Sequence, residues 1–245
     1  FVETWLTATF SDDAEALKLH RELFDKYVKK ILAFKELNCT EAVPMDDFNA
    51  VKSFTSLYTS LATSENGVDR SDSSYNAMVE KWFVFSLLWS IMAAVDTAGR
   101  VKLDVFIRDL EAQFPPMNSV YDYFVDPKKK DWELWETKIP NWRPQKGMQF
   151  HKMIVPTADT VRNGFVLDTL VMNNIHALVV GETGTGKTVL AQSQLSILSE
   201  KYHGLVMNFS AATRSDTTQN IVEGAMEKRP GGKMGPVGGK LLVVL

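Results

Sequence analysis

The feature that most constrains the fold of this chain is an eight-residue, glycine-rich segment. It has the sequence Gly181-Glu182-Thr183-Gly184-Thr185-Gly186-Lys187-Thr188, which matches the phosphate-binding pattern G-x-x-x-x-G-K-[ST] without a mismatch. The apolar run from Ile175 to Val180 precedes it and predicts a buried strand. Apolar residues then recur at helical spacing from Lys187 to about Tyr202. A strand, a glycine loop and a helix in this order predict a P-loop in an α/β fold.

Each part of this loop suits the binding of a polyphosphate. Glycines let backbone N–H groups converge on phosphate oxygens without side-chain collision, and the helix N-terminus adds a partial positive charge at the same point. Lys187 would reach the β- and γ-phosphates, and the Thr188 hydroxyl would ligate Mg²⁺. The alternative, a chance glycine-rich turn before a helix, does not account for both flanking elements. We therefore predict that the chain binds a nucleoside triphosphate.

Composition limits the other function classes. The 245 residues leave room for one large domain or two small ones, and 45% hydrophobic with 23% charged residues is typical of a soluble globular protein. A formal net charge of −3 gives no reason to propose a nucleic-acid or membrane partner. The apolar stretch from Trp82 to Val95 is too short to span a bilayer and predicts a buried helix. Because Cys39 is the only cysteine, no internal disulfide is possible, and a reducing compartment is predicted.

The first part of the chain predicts four helices. Ser11 is the expected cap of the first, whose apolar face would carry Leu19, Leu23, Tyr27, Val28, Ile31 and Phe34. The others are expected from near Asp46, from about Tyr75 to Thr97, and from about Leu103 to Gln113. A polar loop should occupy Thr63 to Ser74. His20 is expected to be a packing or surface residue rather than a ligand, and no catalytic constellation is visible in this region.

Residues Phe114 to Phe150 predict a connector. Its prolines break any long helix, and Lys128-Lys129-Lys130 is expected to be a solvated charge run. Three tryptophans lie between Trp132 and Trp142, with acidic residues among them that argue against nucleic-acid stacking. We expect these tryptophans to pack onto the neighbouring helices.

The remaining residues predict alternating helices and strands. A helix is expected at Thr157–Met172, before the strand and the glycine loop already described. After the helix of the glycine loop, the expected elements are a strand at Leu205–Phe209, a helix at Asp216–Lys228, a glycine- and proline-rich loop at Arg229–Gly239 and an apolar strand at Leu241–Leu245. This alternation implies parallel pairing and a three-layer α/β/α sandwich. In P-loop enzymes the Mg²⁺-coordinating acid follows a strand like the last one. Nothing follows it here, so no catalytic residue is identifiable, and we expect an incomplete domain that does not hydrolyse ATP alone.

Several further segments, agreeing in order along the chain, carry a family resemblance. They are residues 85–90, 120–126, 155–162, 208–213, 227–229 and 235–240. The chain resembles dynein heavy chains, and the axonemal branch more than the cytoplasmic one, from the end of the second AAA+ module into the first half of the third. Residues 1–113 would then be the helical small subdomain of one module, 114–150 the connector, and 151–245 the first half of the next large subdomain.

The resemblance implies a nucleotide site that regulates a motor. Gly181 to Thr188 would bind ATP or ADP with Mg²⁺, and Val155, Pro156 and Thr157 fall where the family contacts adenine. The implied partners are the neighbouring AAA+ modules of the same heavy chain, together with microtubules and dynein intermediate and light chains that bind other parts of it. The implied location is cytoplasmic and cytoskeletal, in the axoneme of a cilium or flagellum.

Other function classes compete with the motor, among them another AAA+ ATPase. A self-contained P-loop phosphotransferase would need a basic lid and an acceptor pocket after the second strand, and none is visible. A transporter ATPase would need a Leu-Ser-Gly-Gly-Gln signature, which does not occur. A purely structural module could keep the loop as a relic, but neither Lys187 nor Thr188 is substituted. The ordered family segments favour the motor.

Overall fold

The computed structural model describes residues 1–110, 113–144, 155–198 and 200–245. By their internal contacts they form a first unit, Phe1–Ile175, and a second unit, His176–Leu245, and each is described by itself. Parts of three predictions lie outside the described residues. These are the end of the fourth predicted helix, the junction between the predicted connector and the C-terminal domain, and the end of the helix after the glycine loop.

Helices dominate the first unit. They are α1 Val2–Thr9, α2 Ala14–Leu23, α3 Lys29–Asn38, α4 Asp47–Leu61, α5 Tyr75–Leu88, α6 Thr97–Asp109 and α7 Ala158–Met172. A π-helical turn, Phe24–Val28, joins α2 to α3 without a break.

Aspartates mark the starts of three of these helices. The carboxylates of Asp13, Asp46 and Asp96 each accept a hydrogen bond from the backbone N–H three residues on, at 2.7–2.9 Å, which is the usual N-cap arrangement. The cap near Asp46 is confirmed. The prediction that Ser11 caps the first helix was wrong, because Asp13 is the N-cap of α2. The fourth predicted helix starts six residues early, at Thr97, because Asp96 caps it.

Aromatic side chains fill the core of the first unit. Phe54 and Phe83 are fully buried with ring centroids 4.7 Å apart, and Tyr58 packs against both. His20 is buried beside them, with Nε2 2.6 Å from the Tyr58 hydroxyl and Nδ1 2.7 Å from the Ala16 carbonyl. Of the two roles predicted for His20, packing or surface residue, the structure shows packing.

The third predicted helix is shorter than expected. α5 ends at Leu88, and a 3₁₀ turn, Ile91–Ala94, follows it. The Ser90 hydroxyl donates to the Ser86 carbonyl at 2.5 Å, and such local bonds compete with the helical backbone pattern. By length and mean hydropathy (1.4) the stretch Tyr75–Ala94 could cross a membrane, but 72% of its apolar window is buried inside this unit. It is the core segment that the sequence predicted.

The connector contains a β-hairpin that the sequence did not predict. Strands β1 (Tyr123–Asp126) and β2 (Asp131–Leu134) pair antiparallel. The Asp126 carboxylate accepts hydrogen bonds from two backbone N–H groups of the lysine run, at 2.8 and 3.0 Å, and so closes the turn. Trp132 and Trp135 are buried. Trp135 packs on Phe85 of α5, which confirms the predicted packing onto a helix for this tryptophan.

The second unit mixes short strands and helices. Its elements are α8 Lys187–Ile197, β3 Tyr202–Leu205, α9 Ser215–Gly224, β4 Met226–Lys228, β5 Met234–Pro236 and β6 Leu241–Val244. Strands β3 and β6 pair in parallel, from Tyr202 opposite Leu241 to Leu205 opposite Val244. A largely helical first part followed by parallel α/β structure confirms the predicted fold class.

Four element predictions from residue 175 onward need correction. Residues 175–180 join no sheet of the described chain, and Leu178 is 84% exposed; a strand forms only where a partner satisfies its backbone. The second strand lies three residues earlier than predicted, at Tyr202. The helix after it ends at Gly224 instead of residue 228. The predicted loop 229–239 includes β5, which forms an antiparallel hairpin with β4.

Candidate functional site

The glycine loop turns into α8 through two left-handed residues. Gly184 has φ +84°, and Gly186, the N-cap of α8, has φ +83°. Glycine adopts this conformation without the steric cost that a side chain brings. No atom lies within 4 Å of the position where a Cβ would stand at either residue. The loop is therefore open on the side of these two glycines.

The ammonium of Lys187 lies against the loop's own backbone. Lys187 is the first residue of α8, and its Nζ donates to the carbonyls of Gly181 and Glu182 at 2.8 and 2.5 Å. The Thr185 hydroxyl lies 3.4 Å from the same Nζ. This places one positive charge at the centre of the loop, where phosphate oxygens could replace the carbonyls as its partners.

Thr185 and Gly181 close the base of the loop. The Thr185 hydroxyl donates to the Glu182 carbonyl at 2.9 Å. A Cβ at Gly181 would stand 3.2 Å from that hydroxyl oxygen, closer than nearly all real Cβ contacts. The absence of a side chain at Gly181 thus lets the hydroxyl approach the loop backbone.

The N-terminus of α8 supplies further donors at the loop. Its first backbone N–H groups have no intrahelical partners, and the helix dipole favours an anion there. Residues Gly181–Gly186 and Thr188 are all exposed to solvent. A left-handed glycine turn, a central lysine and an 11-residue helix therefore form a cradle that fits phosphate groups.

A metal ion at this site would depend on the bound phosphates. Within the described ranges, no group of three or more His, Cys, Asp or Glu side chains could hold a metal. Thr188 contributes one hydroxyl from the first turn of α8, next to Lys187. That position fits the predicted role of Thr188 as a ligand to a Mg²⁺ ion that arrives with the nucleotide.

The predicted adenine segment starts α7 in the first unit. The Thr157 hydroxyl accepts a hydrogen bond from the Thr160 backbone N–H at 3.3 Å, and the Thr160 hydroxyl accepts one from the Thr157 N–H at 2.8 Å. This reciprocal pair is a capping box. Val155 is 57% exposed ahead of it. The glycine loop belongs to the second unit, and adenine contact by Val155, Pro156 and Thr157 stays a prediction.

Two charged residues of α7 received no role from the sequence. Arg162 is only 9% exposed, and burial lowers the pKa of its guanidinium. Asp168 is partly buried, and desolvation raises the pKa of its carboxyl to about 6. Charges on the inner side of a helix are unusual. The sequence signal that could have identified these two residues is their position among the apolar residues of this helix.

Comparison with known proteins decides the family. Residues 20–137 match the dynein heavy chain AAA lid domain, and residues 142–245 match the P-loop containing dynein motor region. The chain belongs to the dynein heavy-chain family. The glycine loop lies inside the second match, and helices α3–α6 lie inside the first.

Individual dyneins align over nearly the whole chain. It is 44% identical to dynein axonemal heavy chain 2 of Mus musculus and 43% identical to that of Homo sapiens, in each case over 99% of this chain. It is 37% identical to the dynein-1-beta heavy chain of the flagellar inner arm I1 complex of Chlamydomonas reinhardtii, again over 99%. The chain spans 6% of the length of each of these relatives. The predicted resemblance to axonemal dyneins is confirmed.

Proposed function

We propose that this chain is a nucleotide-binding segment of an axonemal dynein motor heavy chain. In this proposal the small subdomain of the second AAA+ module leads through the connector into the first half of the third. The glycine loop Gly181–Thr188 binds ATP or ADP together with Mg²⁺. The observation that carries the proposal is the position of the Lys187 ammonium. Lys187 is the first residue of α8, and its Nζ lies within 2.8 Å of two carbonyl oxygens of the loop.

Different residues bind different parts of the nucleotide. Lys187 exchanges its carbonyl partners for the β- and γ-phosphates, and the N–H groups around Gly184 and Gly186 hold further phosphate oxygens. Thr188 ligates the Mg²⁺, and Val155, Pro156 and Thr157 contact the adenine. Bound Mg²⁺ would neutralise phosphate charge.

In the intact motor this site has a regulatory role. Hydrolysis that drives minus-end-directed microtubule sliding belongs to the complete heavy chain in a cilium or flagellum. Neighbouring AAA+ modules contact this segment, whereas microtubules and the intermediate and light chains bind elsewhere on the heavy chain. Family membership and the axonemal relatives support this assignment.

Replacement of Lys187 tests the proposed site. Lys187→Ala should raise the Kd for a fluorescent ATP analogue at least tenfold, because it removes a charge-assisted contact worth about 1.5–3 kcal/mol. Lys228→Ala is the matched control, since it removes an exposed lysine of β4 in the same unit. Equal affinities for the wild type and Lys187→Ala would overturn the proposal.

A further inference from the structure

Helix α7 packs on the part of the chain that matches the lid domain. Its own residues lie in the range that matches the motor region. Phe165 of α7 contacts Phe85 of α5 and Trp135 of the connector, with ring centroids 6.0 and 5.5 Å away. Both aromatic partners lie inside the lid match. Helix α7, the first helix that the structure describes within the motor-region match, is therefore anchored on the preceding lid domain.

Arg162 lies on the same side of α7, three residues before Phe165. Its Cζ stands 4.8 Å from the centroid of the Trp89 ring, and its Nη2 donates to the Asp159 carboxylate one turn earlier. Its buried Nε has no hydrogen-bond partner among the described residues. Burying a guanidinium is costly, and an apolar side chain of similar volume often serves packing alone equally well. The charge and the flat shape of Arg162 therefore call for a role beyond packing.

Trp89 is itself held firmly by the lid domain. Its ring meets the edge of Tyr121 at 5.9 Å, and the Tyr121 hydroxyl donates to the Met92 carbonyl at 3.1 Å. The guanidinium of Arg100 covers the Tyr121 ring at 5.3 Å. The Trp89 ring is thus a fixed platform, and a guanidinium lying on it is fixed in turn.

We propose that Arg162 is a positioning residue that fixes the first turn of α7, and with it the Val155–Thr157 segment, to the lid domain. Thr157, the cap of α7, lies roughly 7.5 Å from Arg162 along the helix axis, because the helix rises about 1.5 Å per residue. Asp159 ties the guanidinium back to that same first turn. The inference rests on the proposed function, in which this segment contacts adenine, and it makes the lid domain a determinant of affinity for the nucleoside part of the ligand.

A comparison of two ligands distinguishes the positioning role of Arg162 from phosphate binding. ATP carries adenosine, whereas inorganic tripolyphosphate offers phosphates alone. Arg162→Met should raise the Kd for ATP at least fivefold and leave the Kd for tripolyphosphate unchanged. Arg162→Lys keeps the charge but not the flat guanidinium, so it should show the same selectivity with a smaller ATP effect. Asn163→Ala, at an exposed position on the same turn, should match the wild type, and Lys187→Ala should weaken both ligands.

Hydrogen exchange gives a readout that needs no nucleotide. Backbone amides of the first turn of α7 should exchange at least tenfold faster in Arg162→Met and Arg162→Lys than in wild type and Asn163→Ala. Unchanged exchange in both Arg162 variants, or equal weakening of ATP and tripolyphosphate, would overturn the positioning role. A wild type that binds neither ligand would overturn the proposed function instead, and the exchange result would still decide the role of Arg162.

Discussion

At the residue scale, Gly186 sets the direction in which the loop enters α8. We expect Gly186→Ala to raise the Kd for ATP about tenfold, because an alanine in the left-handed region costs roughly 1–2 kcal/mol. Space is not the cause, since a Cβ there would meet nothing within 4 Å. Gly224→Ala is the matched control: its Cβ would also meet nothing, and its φ is not positive. Fluorescence titration of both variants checks this, and equal losses would contradict it.

Asp168 should make stability depend on pH. Burial raises the pKa of its carboxyl from 3.8 to about 6, so between these pH values the native state holds a proton that the unfolded chain has released. The free energy of unfolding therefore falls as pH rises through this window, and the loss is complete about one pH unit above the native-state pKa. We expect Asp168→Asn to be more stable than wild type at pH 7.5, by about 1–2 kcal/mol after allowance for partial exposure.

Urea titrations between pH 4.5 and 7.5 check this expectation. His20 contributes a slope of opposite sign, because burial lowers its pKa and its neutral form is favoured in the fold. Since His20 is present in both proteins, the difference between wild type and Asp168→Asn isolates the carboxyl. A difference that does not change with pH would show that Asp168 is ionised alike in both states.

At the element scale, the parallel pair β3–β6 leaves apolar side chains uncovered. Leu241 and Val244 of β6 are 46% and 49% exposed, although parallel sheets are normally covered on both faces. We expect Leu241→Lys with Val244→Lys to lower self-association, measured as the concentration dependence of the sedimentation coefficient. The matched control places lysines at Val101 and Val105, which are exposed on α6. Equal effects of the two pairs would contradict a specific role for β6.

Local signals determined which elements the sequence could predict. α4 and α7 were predicted within one residue of their starts, since each combines a capping side chain at Asp46 or Thr157 with an apolar stripe of helical period. The hairpin β1–β2 and the position of β3 were not, because strand pairing depends on partners elsewhere in the chain. The run 175–180 has the composition of a strand and lacks a pairing partner among the described residues.

In the candidate site, too, features that depend on neighbouring residues were predictable and features that depend on distant residues were not. The glycine loop is a contiguous pattern whose backbone conformation follows from its own residues, including the positive φ angles of Gly184 and Gly186. The surroundings of Arg162 could not be predicted, since the Trp89 platform comes from a helix end far away in sequence. Burial of Asp168 likewise depends on how α7 packs.

At the scale of the whole molecule, the two units differ in how much apolar surface they bury. Among the described residues of the second unit, the buried hydrophobic side chains are Ala191, Tyr202 and Ala225, whereas the first unit contains a large aromatic core. We expect amides of the second unit to exchange at least 100-fold faster than those of α4 and α5. Mg²⁺ with ATP should slow exchange around α8 and leave α4 unaffected. Uniform protection in both units would contradict this.

The order of the units along the chain has a consequence for synthesis on the ribosome. Among the described residues, the contacts that build the aromatic core lie within residues 1–175, so this part can fold while the glycine loop is still being translated. Strand β3 must instead wait for β6, which is translated later, before its backbone is paired. A translational pause after α7 would thus leave a finished helical unit, whereas a pause after α9 would leave an unpaired strand exposed to chaperones.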